Sequence, residues 1–382
     1  MKAGWQVLRL GDVCEFEKSQ GIHAGLPYVG LEDIESQTAR FIGSVEPQGV
    51  KSSTFKFSTQ HVLYGRLRPY LNKVFAPDFD GHCSSEIFPM MPSPALSREY
   101  LLYWLLSADT VERINATCTG ARMPRANMNE VLDFDIPTPP RPEQQRIVTL
   151  LDEAFAGIAT AKANAEKNLQ NARAIFESRL QSVFTQRGGE WAEKRLADVC
   201  AITSTLVDPR KAEFIDLTHV GAGNIESKTG AFVELKSARE EGLISGKFLF
   251  DESMVLYSKI RPYLMKVARP DFNGLCSADM YPLAPIPGEA DRDYLFHLLL
   301  SQQFTDYAIE GSARAGMPKV NREHLFEFRV FMPSVCRQRE IAARFDELKG
   351  DTQRLESIYQ RKLIVLDELK KSLLHSAFNG NL

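Results

Sequence analysis

Residues 65–90 read GRLRPYLNKVFAPDFDGHCSSEIFPM, and residues 258–283 read SKIRPYLMKVARPDFNGLCSADMYPL. The two peptides agree at 13 of 26 positions, a level of self-similarity that marks a duplicated unit. The likeness runs outward in both directions. WQVLRLGDVC at 5 matches WAEKRLADVC at 191, VLYGRLRPYL at 62 matches VLYSKIRPYL at 255, and MPRANMNEVLDFDIPTPP at 123 matches MPKVNREHLFEFRVFMPS at 317. Offsets between partners grow from 186 at the tryptophans to 191 at IES (34 and 225), 193 at RPYL and 194 from Met123 and Met317 onward. Small insertions in the loops of the second copy account for the drift, because loops tolerate length changes and packed elements do not.

Each copy has two parts of different kind. Residues 1–140 and 188–334 mix short alternating runs such as FKFSTQHVLYG with one amphipathic stretch, SREYLLYWLLSADTVERI in the first copy and DRDYLFHLLLSQQFTDYAI in the second. Ser97 and Asp291 stand where N-caps belong. Strands plus a helix between Pro and Gly punctuation predict an α+β module. Residues 141–187 and 335–382 instead predict single long helices. Between Pro142 and Gly188 there is no proline and one glycine, Gly157, and apolar or small residues fall at 147, 151, 154, 158, 161 and 165. The spacing shifts by one at Leu169 and continues through Ala172, Phe176, Leu180 and Val183. The second copy repeats the theme at Ile341, Phe345, Leu348, Thr352, Leu355, Tyr359, Leu366, Leu369 and Leu373, with Gly350 and Lys362 as interruptions. Alternating steps of four and three are those of a helix seam. Such a helix, about 65 Å long at 1.5 Å per residue, would expose its seam if alone. The expected fold is therefore an α+β tandem repeat in which two similar modules are separated by two long helices packed as an antiparallel coiled coil, with pseudo-twofold symmetry.

The whole chain carries a net charge of −3, so bulk electrostatics does not draw it to nucleic acid. Local charge does. GRLRPYLNKVFAP holds Arg66, Arg68 and Lys73 and no acid, and SKIRPYLMKVARP holds Lys259, Arg261, Lys266 and Arg269 and no acid. GARMPRAN adds Arg122 and Arg125, and its partner SARAGMPKVNR adds Arg314, Lys319 and Arg322. At any one site a solvated loop would look the same. Repetition of the whole set at equivalent places points to phosphate binding, with Tyr70 and Tyr263 beside it to stack or hydrogen-bond. Two unlike base sequences would be told apart where the copies differ, in segments 17–27 and 203–213, and 43–56 and 234–248.

Other chemistry is missing from the sequence. GLISGKF at 242 lacks phosphate-loop spacing, GAGNIE at 221 lacks the third glycine of a dinucleotide fingerprint, and the only Pro-Pro lies in IPTPPRP rather than in a methyltransferase motif. PDFDGHCSSEIF at 77 suggests a nuclease, but no lysine follows Glu86 or Asp279 at the required place. Six cysteines at 14, 83, 118, 200, 276 and 336 form no C-x-x-C, and four of them are repeat partners, which fits small buried residues better than metal or redox chemistry. The densest apolar run, YLLYWLLSA at 100–108, is too short to cross a bilayer, and no targeting signal opens the chain, so a cytoplasmic protein is expected.

PTPPRPEQQRIVTLLDEAF at 137, a proline-rich exit followed by Glu143, Gln144, Gln145, Arg146 and Ile147, resembles the central region of the specificity subunit of Type I restriction-modification enzymes. MPSVCRQREIAARFDEL at 332 is a weaker version with Arg337 in place of the acid, and SLLHSAFNGNL resembles the family's C-terminus, echoed by SRLQSVFTQRG at 178. The resemblance covers the whole chain as target-recognition domain 1 (1–140), central helix (141–187), target-recognition domain 2 (188–334) and C-terminal helix (335–382). It implies that each module reads one half of a split double-stranded DNA target and that the chain is not itself an enzyme. The helices would form a ruler and a docking surface for two methyltransferase subunits, with Glu143, Gln144, Ile147, Leu151, Phe155 and Ile158 and Ile341, Phe345, Leu348, Leu355, Tyr359, Leu366, Leu369 and Leu373 as the residues that pack the coiled coil or meet those partners. S-adenosylmethionine would be bound by those partners, with no cofactor on this chain, and restriction and motor subunits would complete the enzyme. Alternatives are the same subunit in a smaller system whose partner fuses methyltransferase and nuclease, a coiled-coil adaptor with two protein-binding modules, and a stand-alone enzyme.

Overall fold

A computed structural model describes residues 4–17, 20–120, 122–185, 190–312 and 318–382. The chain divides into two compact units, residues 1–166 with 360–382, and residues 167–359.

In the first unit the module begins and ends in one ribbon, where Gln6–Arg9 pairs antiparallel with Asp135–Thr138. Between them lie two four-stranded sheets. One has the order Cys14–Phe16, Ile87–Pro92, Val62–Gly65, Val74–Phe75, and the other Gln20–Gly21, Thr54–Phe57, Gly81–Cys83, Tyr28–Val29. Strand Val62–Gly65 is buried on both faces. Its alternating side chains serve two cores: Val62 and Tyr64 join the cluster built on Tyr100, Trp104 and the long helix, while Leu63 joins Phe55, Phe57, Cys83 and Ile87. The second unit repeats this. Val255 and Tyr257 face the helix-side core and Leu256 the other, and the second sheet gains an edge strand, Lys236–Ser237.

Gly81 and Gly274 show how tightly the equivalent sheets pack. A Cβ on either would lie 2.6 Å from the ring of Phe57 or Phe250, and within 2.7 Å of the carbonyl of Pro27 or Thr218 respectively. Gly274→Ala is expected to destabilise the second unit by about 1–3 kcal/mol, as overpacking does, seen as a lower denaturation midpoint with an unchanged slope.

Ser97 and Asp291 are N-caps as expected. Ser97 Oγ accepts from Tyr100 N at 3.0 Å, and Asp291 accepts from Asp293 N and Tyr294 N. The single amphipathic helix expected after each cap is instead two helices, Arg98–Leu106 and Ala108–Ala116 in the first copy, Arg292–Leu299 and Gln302–Glu310 in the second. The chain turns at Ser107 and Ser301, both with extended backbone. Ser107 Oγ bonds the Trp104 carbonyl and Thr110 Oγ1, and Ser301 Oγ caps Phe304 N, so each serine starts a new helix. The first helix of each pair is buried almost all round rather than on one face.

The long helices are Arg141–Thr185 and Val335–Phe378. In the first unit, residues 141–166 run antiparallel to 360–382: Arg146 donates to the Leu382 carbonyl at 2.7 Å, and Lys162 pairs with Asp367. In the second unit residues 167–185 run antiparallel to 335–359, with Phe184 stacked on Phe345 and Arg173 paired with Glu356. Leu151, Ile158, Ala165 and Ala172 recur as buried residues at seven-residue spacing, as the seam predicts.

Three expected positions need correction. Leu355 and Leu369 lie outside the packed stripe, 39% and 44% exposed, because the stripe passes instead through Glu356 and Lys370, which are half-buried. Gln144 is wholly buried, so it presents nothing to a partner. Its Oε1 accepts from Ser97 N at 2.7 Å and its Nε2 donates to the carbonyls of Ala95 and Pro139, locking the long helix to the cap of the module's own helix. Gln338 makes the same three bonds to Asp291, Glu289 and Pro333.

Candidate nucleic-acid interface

Strand Val62–Gly65 leads into Arg66, and the chain then turns sharply. Arg68 (φ 51°) and Asn72 (φ 44°) are both left-handed and bracket a one-turn 3-10 helix, Pro69–Leu71. In the second copy Arg261 (φ 50°) and Met265 (φ 50°) bracket Pro262–Leu264. Left-handed backbone at a non-glycine residue costs about 1–3 kcal/mol, so the surroundings must enforce it. They do so by hydrogen bonds: Arg68 N donates to the Pro124 carbonyl at 2.8 Å, and Arg261 N to the Pro318 carbonyl at 2.9 Å.

Those bonds join the two acid-free segments that lie far apart in the sequence. Leu67 bridges Arg125 and Ile260 bridges Lys319, while Ala126 N and Val320 N donate to the carbonyls of Arg66 and Lys259. Arg66, Arg68 and Arg125 are therefore brought together, with Arg122 further along the same segment, and Lys259, Arg261 and Lys319 form the counterpart, with Arg322 further along. Arg314, expected in the second set, lies outside the described residues.

Each cluster encloses one carboxylate. Glu86 accepts from Arg66 Nε at 3.0 Å and from Arg125 Nη2 at 2.9 Å. Asp279 takes the same place between Lys259 and Lys319. Burial alone would raise the Glu86 pKa, but hydrogen bonds from Arg125 and Arg66 outweigh it and hold the carboxyl below its ordinary range. Burial, with Lys319 nearby, lowers the pKa of Lys259. These acids, which the sequence offered without a nuclease's lysine, organise the cations around them.

The remaining basic side chains divide clearly. Arg68 and Arg261 are exposed and have no side-chain partner among the described residues. Tyr70 and Tyr263 stand beside them, 48% and 52% exposed. Lys73, Lys266 and Arg269 are employed inside the protein. Lys73 Nζ donates to the carbonyls of Leu31 and Ile34, closing a short 3-10 helix, and Lys266 does the same to Ala222. Arg269 forms a two-pronged bond to Asp346 on the C-terminal helix. The signal that separates these from the exposed cations is long-range and has no local sequence mark.

The segments that differ between copies also come together. Gln20–Gly21 pairs with Thr54–Phe57, uniting 17–27 with 43–56, and Leu206–Val207 pairs with Lys247–Phe250, uniting 203–213 with 234–248. In the first unit a histidine pair marks this edge: Thr54 Oγ1 lies 3.0 Å from both His23 Nδ1 and His82 Nδ1. In the second, His219 Nδ1 meets Glu241 at 2.8 Å. Ile22 and Ile244 nearby are 74% and 78% exposed.

Cys14, Cys83, Cys200 and Cys276 are buried free thiols, and burial pushes those of Cys200 and Cys276 up to about 12, far from a reactive thiolate. Among the described residues no group of His, Cys, Asp or Glu is arranged to hold a metal, and no helix is long and apolar enough to cross a membrane.

The Type I restriction modification DNA specificity domain model matches the chain twice, over residues 2–170 and 188–363. The Type I restriction enzyme EcoDI specificity subunit of Escherichia coli is 28% identical over 411 residues, covering 99% of this chain and 88% of that one. The HsdS subunit from Thermoanaerobacter tengcongensis has a TM-score of 0.70 at 19% identity, covering 100% of this chain and 98% of that one. A chain solved in work on complex assembly and conformational transition of the type I R-M system has a TM-score of 0.78 at 20% identity, covering 100% and 99%. With both modules matched and the duplicated architecture shared, this chain belongs to the DNA specificity subunit family of Type I restriction-modification systems.

Proposed function

We propose that each module grips one half of a split DNA target through its cation cluster and reads bases with the neighbouring edge formed by its unmatched segments. The observation that carries this reading is the convergence, in both modules, of two acid-free segments into one exposed surface headed by Arg68 and Arg261. Arg122, Tyr70, Arg322 and Tyr263 extend the grip. Arg66, Arg125 and Lys319 present their remaining N–H donors from a fixed acid, while Lys259 is held inward by the Ala278 carbonyl and Asp279. Phosphate contacts of this kind set register and supply salt-dependent affinity, while base edges supply specificity.

The long helices serve as the ruler of the split target and offer their outer faces to two methyltransferase subunits, with restriction and motor subunits joining through them. Exposed apolar side chains support such docking: Leu150, Val365 and Leu369 in the first unit, and Ile175, Leu355 and Ile358 in the second. The chain works in the cytoplasm and does no chemistry of its own. S-adenosylmethionine belongs to the partners.

Co-expression with the cognate methyltransferase, followed by mapping of methylated adenines, tests the reading. A two-part motif with a constant gap is expected. Inserting four residues near Ala163 adds roughly 6 Å of helix at 1.5 Å per residue and should widen the gap by about two base pairs while leaving both halves unaltered. Altered halves would disprove the ruler.

A further inference from the structure

Along the two long helices equivalent positions are 194 residues apart, so their contacts can be compared one by one. In the first unit Lys162 pairs with Asp367. In the second, Arg173 pairs with Glu356 at 3.2 Å. Asp367 is the equivalent of Arg173, and Lys162 of Glu356, so the same two positions carry an ion pair of opposite polarity. A neighbouring pair shows the same exchange. Lys370 Nζ sits 5.2 Å from the ring centre of Phe155 in the first unit. In the second unit those positions hold Phe176 and Lys349, which line one groove.

Several apolar seam positions do not distinguish the helices in this way. Ile147 and Ile341, Leu180 and Leu374, and Phe184 and Phe378 are identical at equivalent positions, and all are buried. Elsewhere the seam differs in size, with Ile158, Ala165 and Ala172 answered by Thr352, Tyr359 and Leu366, so apolar packing makes part of the choice of partner and the polar contacts add to it. The first helix is also complete long before the second has been synthesised, so its seam first meets other copies of itself.

We propose that the swapped polar contacts are a matching code by which each long helix accepts the other and rejects a second copy of itself. In the same antiparallel register, two copies of the first helix would set Lys162 against Arg173 and Phe155 against Phe176, each twice by symmetry. Two copies of the second would set Glu356 against Asp367 and Lys349 against Lys370, again twice. An exposed ion pair adds little to stability by itself. Specificity, however, is a difference between states, and turning attraction into repulsion counts on both sides of it. The excluded partner is a second copy of this chain, and the inference is independent of what the modules bind.

The test exchanges charges in the full-length chain. In K162E/D367K the pair within the chain is restored with reversed polarity, yet each helix becomes complementary to itself, because position 162 now attracts Arg173 of another copy and position 367 attracts Glu356. After refolding at low salt, light scattering on size-exclusion fractions should show an association constant about tenfold above wild type, with the melting temperature unchanged. Adding R173E/E356K reverses both pairs and should return association to the wild-type level. In roughly 1 M salt, where the screening length is about 3 Å, the three proteins should behave alike. A double variant no more associated than wild type overturns the proposal. So does a fourfold variant as associated as the double, or a difference that survives high salt.

Discussion

Replacing Arg68 and Arg261 together by glutamate should weaken DNA binding by roughly fifty- to a hundredfold at about 0.1 M salt. The magnitude follows from counterion release. Each phosphate neutralised contributes about 0.9 to the slope of log K against log salt, so one lost contact costs close to tenfold between 1 M and 0.1 M. Both side chains are exposed and unpartnered among the described residues, so little of the loss should come from misfolding. The assay is fluorescence anisotropy on the assembled complex across a salt series. The slope should fall by about 2, and cognate and non-cognate duplexes should lose affinity in equal proportion. A slope equal to that of wild type would remove both arginines from the footprint, whatever happened to affinity.

The largest stability effect is expected at Asp346. Its carboxylate accepts from Arg269 Nη1 and Nη2 at 2.8 and 2.6 Å and from His297 Nε2 at 3.0 Å, and His297 is wholly buried. Arg269 also touches Asp293 and lies over the ring of Phe296. Asp346→Ala leaves the buried His297 imidazole without its carboxylate and Arg269, among the described residues, with Asp293 alone. Breaking a fully buried pair costs about 3–5 kcal/mol. Asp346 keeps 36% of its side chain in solvent, which screens the interaction and lowers the expectation to about 2–4 kcal/mol. The transition of the second unit should fall by roughly 5–10 °C in calorimetry.

The pH dependence has a definite sign. Burial pushes the Asp346 pKa up, but hydrogen bonds from His297 and Arg269 outweigh it, and the carboxyl ends well below its ordinary range. A carboxylate depressed on folding contributes its full stability above its unfolded pKa, about 4, and loses it as pH falls through the folded value. Wild type should therefore shed this contribution only below about pH 4, and Asp346→Asn should lack that acid limb. In the first unit Asp152 holds the equivalent place with Tyr103 as its partner and, among the described residues, no arginine, so Asp152→Asn should cost less.

Much of the fold could be read from the repeat because duplication supplies a second copy of every local signal. The N-caps at Ser97 and Asp291, the buried cysteines and the helix seam all rest on short-range chemistry. What escaped was set by contacts between distant residues. Nothing near Ser107 or Ser301 announces a helix break, since serine in a helical run is unexceptional until its hydroxyl bonds the neighbouring turns, as Ser107 does to Trp104 and Thr110 and Ser301 to Phe304 N. Gln144 resembled a surface residue because two of its three partners, Ser97 and Ala95, lie on a distant segment. Lys73 and Arg68 share one acid-free peptide, yet one side chain is drawn inward by carbonyls of residues 31 and 34 and the other is left in solvent. The gathering of RPYL with MPRAN depends on pairing across more than fifty residues. Composition could locate the charge but not arrange it.

The ribbon formed by Gln6–Arg9 and Asp135–Thr138, with its counterpart Ala192–Arg195 and Arg329–Met332, makes each module a closed parenthesis in the chain. A gene fragment recombined at those two boundaries would rejoin the same backbone hydrogen bonds regardless of what it encloses. Inheritance could thus rewrite one half of a recognised sequence by exchanging the segment between those two points, leaving the other half and the assembly that carries it untouched.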